Sequence, residues 1–156
     1  MKQNSPYPVR KQLPHRVPDW VPDHSRYFIT INCRQRGRNV LCRGTRAQSL
    51  LGSIAVYEDL EKWWMHLFVV MPDHVHLIAS FNKAHAIQVV LRAWKSFQAR
   101  TLGIEWQADY FEHRLRDDVE FAEKAAYVRL NPVRQGLVTD WRDWPHLFQR
   151  GAWTDS

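Results

Sequence analysis

The order of segments along the chain predicts an α+β fold of the ferredoxin-like, RRM-like split βαβ type: strand, helix, strand, strand, helix, strand, then an added C-terminal helix. Three observations carry this. The run Tyr27-Phe28-Ile29-Thr30-Ile31-Asn32-Cys33 is dense in aromatic and β-branched residues. Two further apolar runs, 62–71 and 74–81, are joined so tightly around Met71-Pro72-Asp73 that they read as a central hairpin. Ile87, Val90, Leu91, Trp94 and Phe97 recur at three- and four-residue spacing, the stripe of an amphipathic helix. Such a fold lays helices on one face of an antiparallel sheet and leaves the other face to carry a site.

Each element has a local cause. Arg34 to Arg38 form a basic turn around Gly37 after the first strand. Residues 45–59 read as a helix, with Leu50, Leu51, Ile54, Ala55 and Tyr57 or Glu58 on one stripe. Pro72 fixes φ and Asp73 suits a turn, so His74 to Phe81 returns beside 62–71. The helix over 83–102 keeps Lys83, Arg92, Lys95 and Arg100 mostly off its apolar stripe and stops at Gly103. Tyr110 to Arg116 forms a shorter strand. Asp117 and Asp118 cap a helix from about Val119 to Leu130, with Asn131-Pro132 near its end. The expected organisation is an irregular basic arm over 1–25, broken by five prolines, a main folded domain over 26–138, and a tail over 139–156 that packs on the domain through Trp141, Trp144 and Trp153.

Composition narrows the class. The 156 residues fit one domain, and 45% hydrophobic content is enough to bury a core. Lys plus Arg number 22 against 16 acids, a net charge of +6, which favours a polyanionic partner. Cys33 and Cys42 make no disulfide framework, and the absence of Cys-x-x-Cys excludes a zinc ribbon. Met1 to Asp23 lacks the apolar stretch of a signal peptide, and no run of about 20 apolar residues exists to span a membrane. A cytoplasmic protein with reduced thiols is expected.

His74 and His76 lie two apart on a predicted strand, so both imidazoles leave the same face and can converge on one divalent cation. Hydrogen-bonded strand histidines fit the same pattern. Ile78 stands where His-x-His zinc hydrolases usually continue to Asp, which argues against that class. Tyr127 and Asn131 are four apart on one helix face, where the tyrosine can present its hydroxyl to the histidines and the amide oxygen can serve as a third, hard ligand. From spacing alone, a half-buried aromatic on an amphipathic helix is the commoner reading of Tyr127.

These residues resemble a known family. Met71-Pro72-Asp73-His74-Val75-His76 is similar to the His-hydrophobic-His signature of the HUH single-tyrosine nucleases. Trp106-Gln107, then Tyr110-Phe111-Glu112-His113-Arg114-Leu115-Arg116, then Tyr127-Val128-Arg129-Leu130-Asn131-Pro132-Val133-Arg134-Gln135-Gly136-Leu137-Val138 closely resemble the REP-associated tyrosine transposases, relatives of the small single-strand transposases of bacterial insertion sequences. The similarity runs roughly from Tyr27 to Trp144.

The resemblance implies that His74, His76 and Asn131 bind Mg²⁺ or Mn²⁺ and that Tyr127 is the nucleophile. Insertion-sequence relatives usually carry Gln four residues after the tyrosine; Asn131 is one methylene shorter, so a water-mediated contact is the alternative. It also implies a bacterial, nucleoid-associated endonuclease and strand transferase. This enzyme would cut single-stranded DNA at hairpin-forming palindromic repeats and form a 5′-phosphotyrosine link with a free 3′-hydroxyl. A monomer is preferred over a homodimer that exchanges tyrosine helices. A basic groove for the DNA would draw on Arg34, Arg36, Arg38, Lys95, Arg114, Arg116, Arg129 and Arg134. His113 recurs in the family pattern without an evident physical role. The competing readings are a hairpin-binding protein without catalysis and a metal-dependent hydrolase of small phosphoesters, which would work without Tyr127.

Overall fold

The computed structural model describes residues 17–21 and 25–151. Residues 1–16 and 22–24 of the expected arm over 1–25, and Trp153 of the tail, lie outside these residues. The elements follow the expected order: β1 (Arg26–Asn32), α1 (Arg46–Asp59), β2 (Trp63–Val70), β3 (His74–Phe81), α2 (Ile87–Leu102), β4 (Phe111–Leu115), α3 (Asp118–Arg129) and α4 (Asn131–Arg134). A 3₁₀ turn (Trp141–Asp143) and a fifth strand, β5 (Leu147–Gln149), close the described chain.

All pairings in the sheet are antiparallel, in the order β4-β1-β3-β2-β5. The central strand β3 is buried along its whole length, because both faces of the sheet are covered. On one face, Val75, Leu77, Ala79 and Phe81 of β3 join Ile29, Ile31, Met65, Phe68 and Val70 beneath α1 and α2. Trp94 of α2 is fully buried there, and its Nε1–H donates to Ser53 Oγ of α1 at 2.8 Å. On the opposite face, Phe28, Leu67, Val69, Met71, Ile78 and Leu115 pack against Ala125 and Val128 of α3. Period-two alternation sends His74 and His76 to this second face, under the helix that carries Tyr127.

Four local differences from the sequence reading have physical causes. Helix α2 begins at Ile87 instead of 83, because Asn82 organises a turn: its Oδ1 accepts from the Ala84 N–H at 3.1 Å and its carbonyl from the His85 N–H at 3.0 Å. Phe97, expected on the buried stripe, is 46% exposed, and Gln98 takes the inward place beside Trp94 and Leu91. A β-bulge between Met65 and Leu67 resets the alternation of β2. It exposes the Met65 and His66 carbonyls to Arg150, whose Nε–H and backbone N–H donate to them at 2.8 and 2.9 Å. The same Arg150 pairs with the buried Glu58 of α1. These contacts dock the C-terminal segment against β2 as a strand, where the sequence suggested only a packed tail.

Helix α3 starts where Asp117 Oδ1 accepts from the Glu120 N–H at 2.8 Å. It breaks at Leu130, because Pro132 has no N–H to offer the Val128 carbonyl, and the chain resumes as the short α4. Asn131 therefore stands at the junction of the two helices, directly over the histidines.

Candidate active site

The site is assembled from β1, the β2–β3 turn, β3 and the α3–α4 junction. His76 lies opposite Thr30 and His74 opposite Asn32 in the β1–β3 register. His76 Nδ1 pairs with Thr30 Oγ1 at 2.8 Å, and His74 Nδ1 pairs with Asp73 Oδ1 at 2.7 Å. A carboxylate only accepts, so His74 carries its proton on Nδ1 and its Nε2 presents a lone pair. The two Nε2 atoms face each other at 3.2 Å, and the Asn131 amide lies 3.1 Å from His74 Nε2. All three residues are at least 90% buried.

Burial drives the protonation states. It holds His76 down to about 3, with the charges of His74, Arg134, Lys124 and Arg36 acting in the same direction. Burial also lowers His74, against the opposing pull of Asp73. Both rings are therefore neutral near pH 7, the form in which imidazole binds metal. Burial alone would raise the Asp73 carboxyl, but the Gly37 N–H, the His74 bond and the Arg36 charge together bring it below its ordinary value. The Gly37 N–H donates to Asp73 Oδ2 at 2.8 Å, and Arg36 Nη1 lies 3.2 Å from Asp73 Oδ1 while donating to Asn32 Oδ1 at 2.7 Å.

This donor set fits a divalent cation. Two neutral imidazoles converge through Nε2 while their Nδ1 atoms are fixed by a carboxylate and a hydroxyl, the arrangement that orients metal-bound histidines. The ends of a buried amide are interchangeable by a half-turn, so Asn131 can offer either its oxygen or its NH₂ to the same point. Among the described residues there is no group of three His, Cys, Asp or Glu placed to hold a metal. The candidate donor set is two imidazoles and an amide.

Tyr127 is 51% exposed at the edge of this cluster, one helical turn before Asn131. Arg134 folds back from α4: its Cζ sits 3.9 Å from the Tyr127 ring centroid, and its Nη2–H donates to the Tyr127 carbonyl at 2.7 Å. Lys124, one turn earlier on α3, lies 5.1 Å from the Tyr127 centroid and 4.7 Å from that of Phe28. Phe28 in turn stacks on His76 at 5.5 Å.

No family model matches the chain. A REP-associated tyrosine transposase of Escherichia coli (strain K12) is 26% identical over 124 residues, covering 76% of this chain and 73% of that one. A putative REP-associated tyrosine transposase of Haemophilus influenzae is 30% identical over 95 residues, covering 49% of this chain and 53% of that one. Among solved structures, a REP-associated tyrosine transposase bound to a REP hairpin superposes with a TM-score of 0.70 at 24% identity, covering 89% of this chain and 82% of the other. The chain is similar in sequence to REP-associated tyrosine transposases and shares the fold of one. A putative transposase from Deinococcus radiodurans shares the fold more distantly, with a TM-score of 0.51 and 17% identity.

The basic residues suggested by the sequence divide by environment. Arg36 and Arg134 brace the site as described. Arg38 walls a groove of about 190 Å³ beside His74, with Asn39, Pro72, Gln135 and Leu137. Arg34 and Lys95 line a cleft of about 1050 Å³ between α2 and the 104–112 segment; neither His74 nor His76 lines it. There Lys95 Nζ donates to the Gln107 carbonyl at 2.7 Å and the Ala108 carbonyl at 3.2 Å, so it pins this segment. Arg114 is exposed on the edge strand β4. Arg116 pairs with Glu120 at 3.1 Å, and His113 contacts the same carboxylate, which ties β4 to the first turn of α3. Arg129 is 6% exposed and lies over the Trp141 ring at 5.1 Å, away from solvent.

Sequence reasoning did not single out Thr30, Asp73 or Lys124 at this site. Asp73 was read only as a turn former, although its adjacency to His74 was visible. Lys124 stands three residues before Tyr127, a helical neighbour by spacing. Thr30 is set by the β1–β3 register, which no local pattern encodes.

Proposed function

We propose that this chain is a divalent-metal-dependent nuclease and strand transferase that cuts single-stranded DNA beside hairpin-forming palindromic repeats, with Tyr127 as nucleophile. The reading is carried by the convergence of His74 Nε2, His76 Nε2 and the Asn131 amide one helical turn from an exposed tyrosine. The solved transposase relative bound to a REP hairpin supports the choice of DNA, and the net charge of +6 agrees with a polyanionic partner.

His74, His76 and Asn131 would hold the ion; an amide oxygen suits Mg²⁺ or Mn²⁺, and the two imidazoles favour Mn²⁺. Once bound, the ion supplies Lewis-acid polarisation of the scissile phosphate. Thr30 and Asp73 keep the imidazoles in the tautomer and orientation that point Nε2 inward. Arg134 holds the Tyr127 ring and backbone in place. The Tyr127 oxygen attacks phosphorus, the P–O3′ bond breaks, the phenol proton passes to solvent and the departing 3′ oxygen gains one. The phosphodiester is thereby stored as a 5′-phosphotyrosine, which permits rejoining to another 3′ end without ATP.

The test uses labelled single-stranded hairpin DNA with its flanking sequence and Mn²⁺, resolved on a denaturing gel. Wild type is expected to give a protein–DNA adduct that Tyr127→Phe and chelation both abolish, while hairpin binding survives. Equal cleavage by Tyr127→Phe would assign the chemistry to a water-using hydrolase. Tight binding with no cleavage on several such hairpins would leave a non-catalytic binder.

A further inference from the structure

The cations around Tyr127 are not equivalent. Arg36 is committed to Asn32 and Asp73. Arg134 is committed to the Tyr127 carbonyl and approaches Asn131 Oδ1 at 3.5 Å. Lys124 has neither a carboxylate nor a hydrogen-bond acceptor among the described residues. Its ammonium is held by ring faces alone, Phe28 at 4.7 Å and Tyr127 at 5.1 Å, and it is partly buried between them. Aromatic faces attract a cation without occupying its N–H donors, so all three donors of Lys124 stay available. The side chain stands between the Tyr127 ring and the Phe28 ring that stacks on His76, so a phosphate drawn to Tyr127 would meet its ammonium.

We propose that Lys124 is a further catalytic residue, whose ammonium donates hydrogen bonds to a non-bridging oxygen of the phosphate that Tyr127 attacks. This rests on the reading of Tyr127 as nucleophile. The ammonium keeps its proton throughout, and its role is to neutralise charge that grows on the phosphoryl oxygens as the Tyr127–phosphorus bond forms and the P–O3′ bond breaks. A preorganised charge in a partly desolvated site is worth more in the transition state than in the bound substrate. Helical spacing fixes the arrangement, since Lys124, Tyr127 and Asn131 fall on one face of α3 and its continuation.

Two measurements test this, with Lys124→Met, Lys124→Gln and Lys124→Arg each checked for wild-type thermal melting. The first is the single-turnover rate of adduct formation at saturating hairpin DNA. Lys124→Met and Lys124→Gln are expected to lose roughly 100-fold and Lys124→Arg to recover most of it. A loss that vanishes at saturating DNA, or equal loss in the arginine variant, would overturn the catalytic assignment. The second is the salt dependence of hairpin binding in a Tyr127→Phe background, where no chemistry intervenes. Removing the Lys124 charge should lower the slope of log affinity against log salt by about 1. An unchanged slope would overturn the phosphate contact. If wild type formed no adduct while the slope still fell, the nuclease reading would fail and the phosphate contact would stand.

Discussion

Asp73→Asn isolates the support beneath the candidate metal site. The carboxylate accepts from the Gly37 N–H through Oδ2 at 2.8 Å and from His74 Nδ1–H through Oδ1 at 2.7 Å, with Arg36 at 3.2 Å. An amide offers one oxygen and one NH₂, so it cannot reproduce both bonds. If its oxygen turns to His74, its NH₂ meets the Gly37 N–H donor head-on. If its oxygen turns to Gly37, its NH₂ forces His74 to move its proton to Nε2, the atom that faces His76. Either way a charge-assisted bond in a site with little solvent is lost, which costs about 2 kcal/mol of folding stability. The second orientation also blocks the metal lone pair, so Mn²⁺ affinity should fall roughly 10- to 100-fold. Urea unfolding followed by linear extrapolation measures the first, and calorimetric Mn²⁺ titration of the metal-free protein the second. Stability within about 0.5 kcal/mol of wild type, together with unchanged Mn²⁺ affinity, would refute the reasoning.

Other outcomes follow from the same contacts. Burial, and then the charges of Arg26 and Arg150, hold His66 down to about 4. The unfolded chain therefore takes up the proton first, and stability is lost as pH falls from the unfolded value near 6.5 toward 4. His66 accounts for about 2 kcal/mol of the drop between about pH 7.5 and about pH 5; His66→Gln should show a correspondingly flatter urea stability profile. Trp94→Ala removes a fully buried ring and its bond to Ser53 and should cost about 4 kcal/mol by the same unfolding assay. Arg129→Ala should lower the melting temperature while leaving the salt slope of hairpin binding unchanged, because its guanidinium is buried over Trp141. Arg114→Ala should do the reverse, reducing the slope by about 1 with little change in melting, if the DNA crosses the β4 edge.

What could be read from the residues divides along a physical line. Runs whose signal is local were legible: the β-branched density of β1, the Pro72-Asp73 turn and the Asp117 cap. So was the i, i+2 geometry that places His74 and His76 on one face. β5 was not, because three residues carry no periodicity and its position depends on Arg150 reaching the bulged β2 and Glu58, 92 residues away in sequence. The bulge itself was hidden because β2 is apolar on both faces, which removes the alternation that would betray a slip. Arg129 looked like surface charge because nothing near it in sequence announces that Trp141 will cover it. Within the site, spacing paired Tyr127 with Asn131, but the partners that fix the imidazoles depend on strand register and on the loop carrying Gly37.

Mapping the covalent adduct tests the central claim most directly. Wild-type protein incubated with a single-stranded hairpin and Mn²⁺ would be digested with protease and nuclease, and the nucleotide-bearing peptide identified by tandem mass spectrometry. The account predicts a 5′-nucleotide phosphodiester on Tyr127 and on no other residue. Cleaved DNA with an unmodified Tyr127 peptide, or a nucleotide carried by a different side chain, would contradict it.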